Sequence, residues 1–197
     1  MARVAPRSRS LATLTLIAIN VVVFAILNAF PDARVGLLLD PQHVLQAPWT
    51  VVTVLFAHEL VLHLAPNMAL VFVFGRELGR LVGSGYVAGT YLVAGILGVL
   101  TIIPYASVIQ WAGPVAGASA AAFGVVAALA ALRPDLKLLK GTSKQWLVAL
   151  FVTNLVITVL NPDVSIGGPA HAVGIVVGFA LGSWMKQRAR VGLERAA

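Results

Sequence analysis

Apolar residues along this chain come in long unbroken runs, neither alternating nor confined to one helical face. Six runs stand out, near residues 11–30, 60–78, 86–103, 117–132, 145–160 and 169–185. A helix needs about 20 mostly apolar residues to cross a hydrocarbon core of roughly 30 Å, so the pattern predicts six transmembrane helices. The connections, 31–59, 79–85, 104–116, 133–144 and 161–168, are each marked by glycine, proline or charge. No internal repeat interrupts this order.

Composition agrees with the pattern. Of 197 residues, 59% are hydrophobic and 11% charged, and the mean hydropathy is +0.94. Those values exclude a soluble globular domain and leave room for one membrane bundle. The expected layout is a single domain over 1–197, with a basic start at 1–10, a six-helix core at 11–185 and a basic tail at 186–197. The run after Arg3, Arg7 and Arg9 is longer than a signal-peptide core and is followed by no convincing cleavage site, so it reads as a retained first span.

A net charge of +7 would suggest nucleic acid in a soluble protein, but its distribution here suggests orientation instead. Thirteen of the fourteen basic residues lie before the first run, after the second, fourth and sixth, and only Arg34 falls in the alternate connections. The positive-inside rule then puts both termini in the cytoplasm. The absence of cysteine removes disulfides, thiolate catalysis and cysteine-bound metals.

Polar groups inside the runs carry the candidate chemistry. On runs two, four and six, His63 precedes Arg76 by 13 residues, Ser119 precedes Arg133 by 14 and His171 precedes Lys186 by 15. At 1.5 Å per residue the three side chains would share a layer about 20 to 22 Å above the inner boundary. A polar layer at such depth is costly unless it is functional or internally satisfied. Ser119 is the candidate nucleophile and His171 the candidate base. A serine back-bond within its own helix and an interhelical histidine bond are the inert alternatives. Gly174, Gly178 and Gly182 form a groove below His171, and Ala116, Ala120, Phe123, Gly124, Ala127 and Ala131 offer a mostly small stripe on run four. His63 and Asn67, four apart on run two, can supply hydrogen-bond donors to an oxyanion. The stretch from His58 to His63 resembles a zinc-protease motif with one residue too many. Histidines five apart on one helix are separated by about 140° and cannot share a metal as an i, i+4 pair would.

Taken together, His58, His63 and Asn67, the serine motif from Gly117 to Ser119, and the glycine-rich stretch from Ala170 to Gly178 resemble the rhomboid intramembrane serine proteases. Trp49 in the first loop and Gly75-Arg76-Glu77-Leu78-Gly79 extend the resemblance over nearly the whole chain. It implies an all-α, six-transmembrane-helix rhomboid-like bundle with no cofactor or metal. It also implies a Ser119–His171 dyad and an oxyanion hole from His63, Asn67 and the Ser119 amide. His58 would be a supporting polar residue near the outer rim, and Phe123 would pack on the histidine. Gly117, Gly174 and Gly178 belong to the same motifs. Substrates would be single-pass membrane proteins cut near the outer end of a span, and the expected setting is a prokaryotic plasma membrane with the site toward the outer face.

The chain departs from the family pattern at three points. Ala120 stands where glycine is common, Trp49 is followed by Thr50 instead of arginine, and Pro66 precedes Asn67 and frees the Leu62 carbonyl. The loop from Asn161 to Pro169 carries the glycines and prolines of a hinged cap. Two other functions compete with proteolysis. One is a non-proteolytic rhomboid-like protein that binds membrane clients, and the other is a small transporter relaying protons through its histidines.

Overall fold

A computed structural model describes residues 11–162 and 165–194, with side chains of the last helix as far as residue 189. The basic start, Asp163 and the end of the basic tail lie outside the described residues. Six long helices carry the fold. They are α1 (Leu11–Ala29), α2 (Val61–Val82), α3 (Ser84–Leu100), α4 (Ser119–Leu132), α5 (Ser143–Leu160) and α6 (Gly168–Glu194). Short helical turns fill the loops.

Among the described residues, five helical stretches are long and apolar enough to cross a membrane, and α4 is not one of them. Its 14 residues span about 21 Å at 1.5 Å each, which falls short of the roughly 30 Å hydrocarbon core. The apolar run predicts a full span from residue 117, but the helix begins only at Ser119. The preceding segment is held in extended form against other loops instead. Leu39 and Val115 exchange backbone hydrogen bonds at 3.1 and 2.7 Å, and the Gly117 N–H donates to the Val54 carbonyl at 3.3 Å. Non-helical backbone is tolerated at depth only where protein or a wet cavity satisfies it, and these bonds meet part of that need.

Helix α2 runs through Pro66 without interruption and opens into one wide π turn at Val71–Gly75. It stops at Gly83, whose φ of +102° suits glycine and breaks the helical path. Helix α5 starts with a reciprocal cap, in which Thr142 Oγ1 accepts from the Gln145 N–H and Gln145 Oε1 accepts from the Thr142 N–H. Its faces are mostly exposed, as expected for a helix turned toward lipid.

Helix α4 is the axis of the bundle. Every residue from Ala120 to Ala131 except Phe123 is buried. Small side chains permit this, because α6 and α3 both approach its backbone. A Cβ on Gly174, Gly178 or Gly182 would collide with the backbone at Ala120, Gly124 or Ala128 respectively. A Cβ on Gly98 of α3 would lie 2.9 Å from the Ala120 Cβ. The predicted members Ala120 and Gly124 thus face α6, and Ala128 continues the line of backbone contact. Ala116 lies ahead of the helix altogether.

Buried polar side chains fasten α1 to this core. Asn20 donates to the Leu16 carbonyl at 2.8 Å and to the Tyr91 hydroxyl at 3.1 Å, and Tyr91 donates to the Leu55 carbonyl at 2.6 Å. The first loop has its own anchors. Trp49 donates to the Gly36 carbonyl at 3.1 Å, Thr50 to that of Ala47 at 2.6 Å, and Arg34 pairs with Glu59 at 2.9 Å. Threonine after Trp49 thus still ties the loop, through a local backbone bond.

Candidate active site

Gly117 sets the entry to α4. Its φ of +142° lies where side chains are rarely found, and a Cβ there would sit 2.7 Å from His63 Cε1. Glycine satisfies both constraints at once. The chain can then turn so that Ala118 is fully buried and Ser119 becomes the first residue of α4.

Ser119 Oγ lies 2.6 Å from His171 Nε2. The two side chains come from different helices, 52 residues apart, and both are half-buried. Phe123, one turn along α4, packs on the imidazole with ring centroids 4.8 Å apart. The backbone N–H groups of a helix's first turn have no carbonyl partners within the helix, and its macrodipole places about half a positive charge there. Ser119 occupies that end.

The far side of the imidazole is held by a residue that the sequence reading passed over. His171 Nδ1 lies 2.8 Å from Asn154 Oδ1, and Asn154 Nδ2 donates to the Gly168 carbonyl at 3.1 Å. A backbone carbonyl accepts only, so the amide must turn its nitrogen to Gly168 and its oxygen to the ring. Nδ1 therefore carries the proton of neutral His171, and Nε2 presents a lone pair to the Ser119 hydroxyl. An amide within an apolar lipid-facing helix was the available signal.

His63 and Asn67 share a cavity of about 440 Å³ with Ser119, Phe123, Ile166 and His171. Asn67 is buried, and one of its amide hydrogens is engaged by the His63 carbonyl at 2.9 Å. A second cavity of about 440 Å³ shares His63, Val115, Ala116 and Ile166 with the first and is edged by Arg34 and Glu59. Another, of about 560 Å³, lies mainly under the first loop near Trp49; it shares Arg34 and Pro114 with the second cavity but none of Ser119, His171, His63 and Asn67 lines it.

His58 is fully buried, and its Nε2 accepts from the Ala118 N–H at 3.4 Å, beneath the turn that presents Ser119. It also precedes α2, so the 140° separation argued for two residues of one helix does not apply. Its ring meets His63 edge-on at 4.9 Å. Among the described residues no third histidine or carboxylate joins them in a metal-sized cluster.

Burial, aided by the nearby His63, lowers the His58 pKa to about 4, while the Phe56 carbonyl works weakly the other way. A histidine pKa lower in the folded than in the unfolded chain gives stability that is complete above about 6.5 and lost as pH falls toward 4. The thermal midpoint of purified protein in detergent should therefore drop over that interval, and His58→Gln should flatten the drop. An unchanged pH slope in the variant would remove His58 as its source.

A model of the Rhomboid domain matches residues 45–188. The chain belongs to the rhomboid family. The match covers α2 to α6 and leaves α1 outside it. The rhomboid domain and the long apolar helices mark an integral membrane protein. Rhomboids are generally intramembrane serine proteases, and the family includes inactive members. A comparison with curated proteins returns no match.

Proposed function

We propose that this rhomboid is an intramembrane serine endopeptidase that cleaves single-pass membrane proteins in or near their transmembrane segments. The reading rests above all on the 2.6 Å approach of Ser119 Oγ to the unprotonated Nε2 of His171. A hydroxyl is a weak nucleophile until a base takes its proton during attack. Ser119 Oγ adds to the scissile carbonyl carbon as its proton passes to Nε2. The carbonyl oxygen becomes an oxyanion, stabilised by the Ser119 N–H, the free hydrogen of the Asn67 amide and His63. His171 then returns the proton to the departing amine, leaving an acyl group on Ser119. Water hydrolyses that ester with His171 again acting as base.

Hydrolysis inside a bilayer needs a wet path. The two adjoining cavities supply one from the loops bearing Arg34 and Glu59 to Ser119. The distribution of basic residues would put those loops at the outer face and both termini in the cytoplasm.

The test uses purified protein with a model transmembrane substrate in detergent, together with a fluorophosphonate probe. Cleavage accompanied by labelling at Ser119 is the expected result. Client binding with neither cleavage nor labelling would instead assign the chain to the inactive members. Ion-coupled flux that is indifferent to Ser119 would point to a proton-relaying transporter.

A further inference from the structure

We propose that Asn154 is a positioning residue for the reaction, fixing both the tautomer and the orientation of His171. This rests on the protease reading and adds a fourth helix, α5, to the α2, α4 and α6 already in the machinery. Nothing in that reading required α5, yet α5 supplies the side chain on the far nitrogen of the ring.

The inference follows from how few ways the hydrogen bonds can be arranged. The amide bridges two partners, the Gly168 carbonyl at 3.1 Å and His171 Nδ1 at 2.8 Å. Reversing the amide would let its N–H donate to an unprotonated Nδ1, but only by setting the amide oxygen against the Gly168 carbonyl, which has no proton to offer. The observed arrangement instead satisfies every group. It requires Nδ1–H, and so leaves Nε2 free to accept from Ser119. In the other tautomer Nε2 would hold the proton, and His171 could not act as base toward the hydroxyl 2.6 Å away.

The same contact supports the charged intermediate. When Nε2 takes the serine proton, the Nδ1–H belongs to an imidazolium, and hydrogen bonds from charged donors are roughly twice as strong as neutral ones. Asn154 is neutral throughout and accepts no proton, so it acts through His171 and never on substrate. Phe123 holds one ring face. A ring fixed in plane by Asn154 and against one face by Phe123 has little freedom to turn from Ser119.

Two variants and one spectrum test the proposal in the full-length protein. Asn154→Ala removes the acceptor and should slow both probe labelling at Ser119 and substrate cleavage by about 10- to 100-fold. Asn154→Asp keeps an oxygen at Nδ1 but cannot donate to Gly168, and should retain most of the rate. If Asn154 served only to fasten α5 to Gly168, the aspartate would fall as far as the alanine, and that result overturns the proposal. So would wild-type rates in Asn154→Ala.

Nitrogen-15 spectra of labelled histidine decide the matter without activity. Neutral His171 should show the Nδ1–H tautomer in the wild type and lose that preference in Asn154→Ala. An Nε2–H signature in the wild type refutes the positioning role even if cleavage is robust. A wild type that shows the Nδ1–H signature but never labels or cleaves leaves the hydrogen-bond assignment standing and sinks the protease reading instead.

Discussion

Ser119→Ala and His171→Ala should each slow cleavage of a transmembrane substrate by about 10⁴-fold or more, and the double variant should be no slower than either alone. The reason is that the two groups act as one unit. Without the imidazole, Ser119 has no acceptor for its proton at 2.6 Å; without the hydroxyl, His171 has no nucleophile to activate. Once one is gone, the other has nothing left to contribute, so the losses cannot add. Residual cleavage would come from the oxyanion donors and substrate positioning alone. His63→Ala and Asn67→Ala remove donors one at a time and should cost about 10²- to 10³-fold each at most, the range for a single oxyanion donor. Rates are best compared in proteoliposomes at one substrate density. Two independent, multiplying losses for Ser119 and His171 would mean that the pair does not react as a unit, whatever their separation in the fold.

Much of this arrangement was legible from residue order because a membrane punishes polar atoms. A histidine or serine in a long apolar run is conspicuous, and counting residues to the next charge placed Ser119, His63 and His171 in one layer. Geometry specific to the packing was less accessible. Helix α4 is apolar on every side after Ser119, so hydrophobicity carries no direction that says which face meets α6. Ala120 and Gly124 were recognised in the stripe, but Ala128, which meets Gly182, was not. The angle between His58 and His63 was argued for one helix, whereas His58 lies in the connection ahead of the helix that carries His63. Asn154 was missed for a reason the depth count itself contains. It follows Lys144 by ten residues, which puts it about 15 Å above that charge, roughly one turn below the layer of the other three. In the fold its amide nonetheless meets the first turn of α6 at both the Gly168 carbonyl and His171 Nδ1.

The second large effect belongs to a residue that touches no reacting group. Gly178→Ala should lower cleavage by about 100-fold and also depress the thermal midpoint. Gly178 sits seven residues beyond His171, about 10 Å along α6. A methyl there would run into the Gly124 backbone, and backbone cannot swing aside as the tip of a side chain can. The helices must separate, at a cost of about 1–3 kcal/mol for overpacking a tight contact. Because Ser119 rides on α4 and His171 on α6, the same separation enters their 2.6 Å contact directly. A misplacement of about 1 Å can cost 10²-fold even when its cause is remote. Gly89→Ala on α3 is the control, since a Cβ there meets nothing within 4 Å and alanine is the better helix former. It should leave rate unchanged and hold or raise the midpoint. Full activity in Gly178→Ala would mean that α4 and α6 can part without moving the hydroxyl from the imidazole. The glycine seam would then be a packing feature with no hold on the chemistry.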